Sequence, residues 1–148
     1  MIAKIIIGLI IAVFVIILLG LVGVVFVLKD VVLMKRKTIR NKLDKLWADK
    51  VKEKGACEYC GKTTYLNAHH FYSRSALSTR WDLDSGFCLC SGCHTLSSKF
   101  SAHKTPADFV EWAIETRGSA WYKRIKEKHN QVIKFTNEDL KRKQEELK

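Results

Sequence analysis

Between Ile5 and Leu28 the chain reads IIIGLIIAVFVIILLGLVGVVFVL, 24 consecutive residues without a charged or strongly polar side chain. As a helix rising about 1.5 Å per residue, such a run is about 36 Å long, enough to cross a hydrocarbon layer of about 30 Å. The reading is a single N-terminal transmembrane helix, with membrane contact through residues 5–28. A cleaved signal peptide is the competing reading, but its apolar segment is about 7–15 residues long and ends at an A-x-A-like site. Neither feature is present here. Lys4 stands alone before the span, whereas Lys29, Lys35, Arg36, Lys37, Arg40, Lys42 and Lys45 follow it. Positive flanks stay on the cytoplasmic side, so the C-terminal part is expected in the cytoplasm. Gly20 and Gly23 do not form a GxxxG pair, and no helix-dimer face is read.

The formal net charge is +11, and because Lys4 is the only charged side chain before residue 29, the remainder carries +10. A surplus of that size points to a polyanion, either nucleic acid or anionic lipid, without choosing between them. The five cysteines, Cys57, Cys60, Cys88, Cys90 and Cys93, all lie in the part expected in the cytosol. In a reducing compartment, paired C-x-x-C spacings read as a metal site before they read as disulfides.

Behind the span, Ile39, Leu43, Leu46, Trp47 and Val51 recur at helical spacing, and Gly55 is placed to stop that helix. Two short strand-like runs follow, TYLNAHH and GFCLC. Thr105 is expected as N-cap with Pro106 at the first helical position and Asp108 reaching back, in a helix that ends at Gly118. Ser119 is expected to cap a second helix, residues 132–135 to be extended, and Thr136 with Asp139 to open a last helix. Trp112 and Trp121 are expected to pack over the cysteine-rich segment, which is too short to bury much by itself.

Cys57-x2-Cys60 and Cys90-x2-Cys93 are separated by 29 residues, and each pair sits beside a glycine, Gly61 or Gly92. Two such knuckles can meet tetrahedrally on one structural Zn2+. Cys88 is then left over as a small buried apolar residue. His94 follows the last of these cysteines directly, and a pair of histidines, His69 and His70, stands in LNAHHFYSR.

Taken together, CEYCG, HHFYSR, RWDLD, CLCSGCH and AHKTPADFVEW, preceded by KLDKLW, resemble the HNH endonucleases, and among them phage recombination proteins of the NinG (Rap) type. The resemblance runs from about Thr38 to Gly118. It implies a ββα-metal site in which a hairpin carries His69 as metal ligand and His70 as general base, and a helix carries His94 as a further ligand. The catalytic divalent cation would be Mg2+ or Mn2+, and the substrate DNA. In related sequences a histidine recurs before the proline that opens the next helix, so His103 is either a third ligand or a structural contact. Ser85 stands where the family has its middle Asn, which orients the hairpin; Ser offers a hydroxyl but a shorter reach, and Asp82 or Asp84 are the candidates to compensate. Arg74 and Arg80 flank the site and are the candidate phosphate contacts, since a guanidinium fits a phosphate bidentately.

The fold expected is mainly α, with a small zinc-stapled ββα-metal (HNH) core and a single transmembrane helix. Its parts are a membrane anchor at 1–34, a basic amphipathic linker helix at 35–55, the zinc and nuclease domain at 56–118 and a helical extension at 119–148. The function expected is hydrolysis of DNA phosphodiester bonds by a membrane-anchored enzyme. The alternatives are a non-catalytic nucleic-acid-binding module and a membrane protein whose basic stretch grips anionic lipid.

Overall fold

A computed structural model describes residues 2–148, with side chains described from Val13 onward. The chain divides into two compact units, one ending at Ile39 and one running Arg40–Lys148, and the boundary falls within the first helix, α1 (Ile2–Lys52). In the first unit the large apolar side chains from Val13 to Met34 are exposed, Phe26 by 69%, and Ile39 at its end is buried. By length and composition this helix can cross a membrane; a signal sequence would pass the same test.

In the second unit, the end of α1 is amphipathic. Leu43, Trp47 and Val51, each four residues on from the last, share one face and are buried. Gly55 follows at φ +75°, a left-handed conformation in which a Cβ would be strained. The two strand-like runs form an antiparallel hairpin, β1 (Leu66–His70) with β2 (Gly86–Cys90), in the register Leu66↔Cys90 through His69↔Phe87 to His70↔Gly86. Every residue of β2 is buried, which is why GFCLC reads as an unbroken apolar run rather than an alternating one.

Gly86 is required by a close approach. A Cβ there would lie 2.5 Å from Val51 Cγ2 and 2.9 Å from Trp47 Cζ2. The missing side chain lets α1 lie against the end of the hairpin that carries His70. After β2, a short wide helical turn over Gly92–Leu96 leads to α2 (Pro106–Arg117), α3 (Ser119–His129) and α4 (Asn137–Glu146). Phe87, Leu89, Phe109, Ala113, Trp121 and Ile125 form the core between hairpin, α2 and α3, with Trp112 packed against it.

The helix boundaries follow local chemistry, with two corrections. Thr136 and Asp139 form the reciprocal capping box expected of them. Thr105 precedes Pro106 as expected, but its hydroxyl makes no cap bond; it accepts from Ser101 N at 2.9 Å and faces Ser101 O at 3.2 Å. Ser119 is already helical, and Gly118, at φ +87°, takes the boundary position. Residues 132–135 are irregular and pair with no strand among the described residues.

Candidate metal centres

Among the described residues, two groups of metal-ligating side chains converge. The first is Cys57, Cys60, Cys90 and Cys93, whose sulfurs lie within 4.8 Å of one another, with Cys60 Sγ and Cys90 Sγ at 3.6 Å. A tetrahedron with Zn–S bonds of about 2.3 Å has sulfur–sulfur edges of about 3.8 Å, so the cluster fits a structural Zn2+. Local turns produce this geometry. Gly61, at φ +73°, donates its N–H to Cys57 O and so closes the first knuckle, and Cys57 N donates to Lys62 O. Glu58, inside that knuckle, accepts from Cys88 N at 2.7 Å and ties the knuckle to β2. Burial opposes charge on Glu58, but Lys54, the Cys88 N–H and Arg117 together hold its pKa below the usual range. Cys88 itself is buried outside the cluster.

The second group is His69, His94 and His103, whose ligand nitrogens also lie within 4.8 Å of one another. His69 comes from β1 and His94 from the wide turn that follows the zinc knuckle. His103, nine residues further on, is brought back by two backbone bonds, Ala102 N to Cys93 O at 2.9 Å and His103 N to His94 O at 3.2 Å. The short turn thus takes the place of the helix expected to carry His94. Burial, then the neighbouring imidazoles His94, His103 and His70, push the His69 pKa down to about 3. Burial and His103 likewise lower that of His94. Neutral imidazoles are ready metal ligands, and three nitrogens gathered this closely would suit one ion, which nitrogen donors hold at about 2.1 Å.

This triad opens onto a pocket of about 450 Å³, whose walls also include His70, Arg74 and Phe109. His70 is not a member of the triad. Its ring lies flat on Trp47, with centroids 3.7 Å apart and planes at 14°. Its Nε2 is 2.9 Å from Arg80 O. A carbonyl can only accept, so Nε2 carries the proton and Nδ1 is left as the acceptor. Burial lowers the His70 pKa and keeps the ring neutral.

Arg80 serves this arrangement rather than the pocket. Its guanidinium forms a bidentate pair with Asp44, at 2.8 and 2.6 Å, and Trp81 Nε1 donates to the same carboxylate. Burial works against the Asp44 charge, but these donors hold its pKa below the ordinary value. Of the two arginines expected to meet phosphate, Arg80 is thus engaged with α1, and Arg74 is exposed and lines the pocket.

Ser85 does not reach the pocket either. It is fully buried, and its hydroxyl has no hydrogen-bond partner among the described residues. Its backbone nevertheless positions the hairpin, because Phe71 N donates to Ser85 O at 2.9 Å, one residue after His70. Neither Asp82 nor Asp84 compensates through its carboxylate. Asp82 caps Asp84 N and pairs with Lys128, and Asp84 pairs with Arg124. Arg117 donates to Asp84 O and Gly86 O, both at 2.6 Å, on either side of Ser85, while Trp121 Nε1 adds a bond to Asp84 O. Sequence does not single out Asp44, Trp47 and Arg117 as site residues: KLDKLW contains the first two, but each acts across more than twenty positions, on Arg80, His70 and Asp84.

No family model matches the chain, and no curated protein or solved structure matches it either.

Proposed function

We propose that the chain is a metal-dependent DNA phosphodiesterase of the HNH type, stabilised by a structural Zn2+ and held at the cytoplasmic face of a membrane by its first helix. The observation that carries this reading is the convergence of His69, His94 and His103 on a pocket whose wall also presents His70 and Arg74. The three imidazoles would hold a divalent cation, which supplies positive charge to the phosphate and the departing 3′ oxygen. Neutral ligands leave that charge uncompensated, so an anionic phosphate completes the site. An all-nitrogen set suits a transition metal better than Mg2+, which favours oxygen ligands, and this shifts the expected ion toward Mn2+ or Zn2+.

His70 is the base. With Nε2 fixed to Arg80 O and the ring clamped by Trp47, Nδ1 accepts a proton from water. Arg74 is the phosphate contact. The test is nicking of supercoiled DNA by the full chain in detergent, with Mn2+, Zn2+ and Mg2+ in turn. His70→Ala is expected to lower the rate by about 10²–10⁴ while DNA binding persists. No nicking by the parent with any ion on any DNA form, with binding intact, would leave the nucleic-acid-binding module in its place.

A further inference from the structure

Tyr65 is the one non-glycine residue at positive φ among the described residues, at +54°. Left-handed backbone is unfavourable for an aromatic residue and persists only where its surroundings impose it. Here the surroundings do so. The Tyr65 carbonyl accepts from Ser91 N at 3.0 Å, Ser91 Oγ at 3.2 Å and Asn67 Nδ2 at 2.9 Å, and Asn67 Nδ2 also reaches Ser91 Oγ at 3.1 Å. Ser91 lies between Cys90 and Cys93, so the peptide is tied to the second cysteine knuckle. The ring gains nothing from this for stability, because Tyr65 is 82% exposed. A strained backbone that presents an uncovered aromatic ring is unexplained by folding.

Beside the ring lies a recess of about 540 Å³, separate in its lining residues from the histidine pocket. Lys62, Thr63 and Thr64 offer a cation and hydroxyls, and Leu96, 67% exposed, offers an apolar surface. A flat apolar ring with polar edges and an anionic linker is the chemistry that uses all of these together. Tyr65 stands four residues before His69, about 13 Å along an extended chain, or about four stacked steps at about 3.4 Å each.

We infer that Tyr65 and this recess form a stacking subsite for an unpaired base, so that the preferred substrate is DNA with a single-stranded stretch a few nucleotides from the bond that is cut. This rests on the nuclease reading above. The rigid ring stacks on the base, while Lys62 meets the adjoining phosphate.

The test is binding of three fluorescent probes by the full chain in detergent: a single strand, its blunt duplex, and the duplex with an unpaired tail. The parent is expected to prefer the single strand and the tailed duplex. Tyr65→Gly and Tyr65→Asn suit a left-handed backbone, so their melting temperatures should equal or exceed the parent's while affinity for both unpaired probes falls about tenfold or more. Tyr65→Phe should bind as the parent does. Parental affinity in Tyr65→Gly, or a loss in Tyr65→Phe as large as that in Tyr65→Gly, overturns the subsite, as does a Tyr65→Gly that melts well below the parent. If the parent binds and nicks blunt duplex and Tyr65 is indifferent, only the subsite falls. If the parent binds no probe at all, the nuclease reading falls with it.

Discussion

The cysteine cluster and the histidine triad stand a residue apart, at Cys93 and His94, yet they are built on opposite plans. The cysteines supply four ligands from two tight turns, and three of the four are buried. The triad gathers three imidazoles from a strand, a turn and a loop, with His103 exposed and the group open to a pocket. A closed four-sulfur set leaves an ion no free position and serves the fold; three imidazoles leave positions for water and phosphate. Adjacent ligands can thus divide stability from reactivity.

The largest expected effect separates them by stability. Cys93→Ser should unfold the second unit, because in a small zinc-stapled domain metal-binding energy is largely folding energy. His94→Ala, one position on, should stay folded by circular dichroism with zinc present, losing only the increment in melting temperature that an ion on the triad adds. Similar melting of the two variants would erase the distinction.

Next in size is Arg117, which supports both sites from α2. It pairs with Glu58 in the zinc knuckle, holds Asp84 O and Gly86 O beside Ser85, and lies 3.6 Å over the Phe87 ring. Arg117→Met leaves Glu58 and two carbonyls without that partner and should cost about 3 kcal/mol in a denaturant titration. Arg117→Lys should recover only part of this, since an ammonium cannot span the same acceptors.

Acid should act on the triad before the carboxylates. His69 stays neutral in the fold down to about pH 3, whereas its ordinary value is 6.5, so between these limits the unfolded chain binds the extra proton. With zinc on the cysteines and no ion on the triad, stability should therefore fall with pH from about 6.5 downward, by up to about 1.4 kcal/mol per unit for this group. Asp44 and Glu58 have lowered pKa values, so what they contribute is present above their ordinary values of 3.8 and 4.5 and is lost as pH falls through the folded values. His69→Gln should flatten the upper part of the profile and leave the lower part. An unchanged slope between pH 6.5 and 5 would remove His69 as its cause.

The smallest effect concerns Ser85. With Arg117 already holding the carbonyls on either side, Ser85→Asn has no missing bond to restore and must fit two more heavy atoms into a fully enclosed place. Ser85→Ala removes an unpartnered buried hydroxyl and should be neutral or stabilising by about 1 kcal/mol. A nicking rate raised by Ser85→Asn would show instead that the site lacks an amide.

What could be read beforehand divides along the same line as the two metal groups. The cysteine knuckles, the Thr136–Asp139 box and the stop at Gly118 depend on residues a few positions apart, and spacing alone exposes them. The triad was reached through a resemblance for His69 and His94, with His103 left between two roles until the 93–103 loop closure joined it to them. The pairing of Arg80 with Asp44 is not legible in sequence, because Asp44 lies 36 positions away on a helix that sequence periodicity places but cannot dock. Thr105 takes the N-cap position but makes no side-chain cap bond for the opposite reason, since Ser101, four residues before it, competes locally for its hydroxyl. The clamp on His70 by Trp47 depends on Gly86 being a glycine, and no pattern announces that pairing.

The central claim, that two separate centres share one hairpin, is tested most directly by elemental analysis of the full chain after equilibration with Zn2+. Two ions per parent chain are expected, with one remaining in His94→Ala and in His103→Ala, both still folded. One ion in the parent and in both variants, or loss of all metal on replacing either histidine, would contradict it.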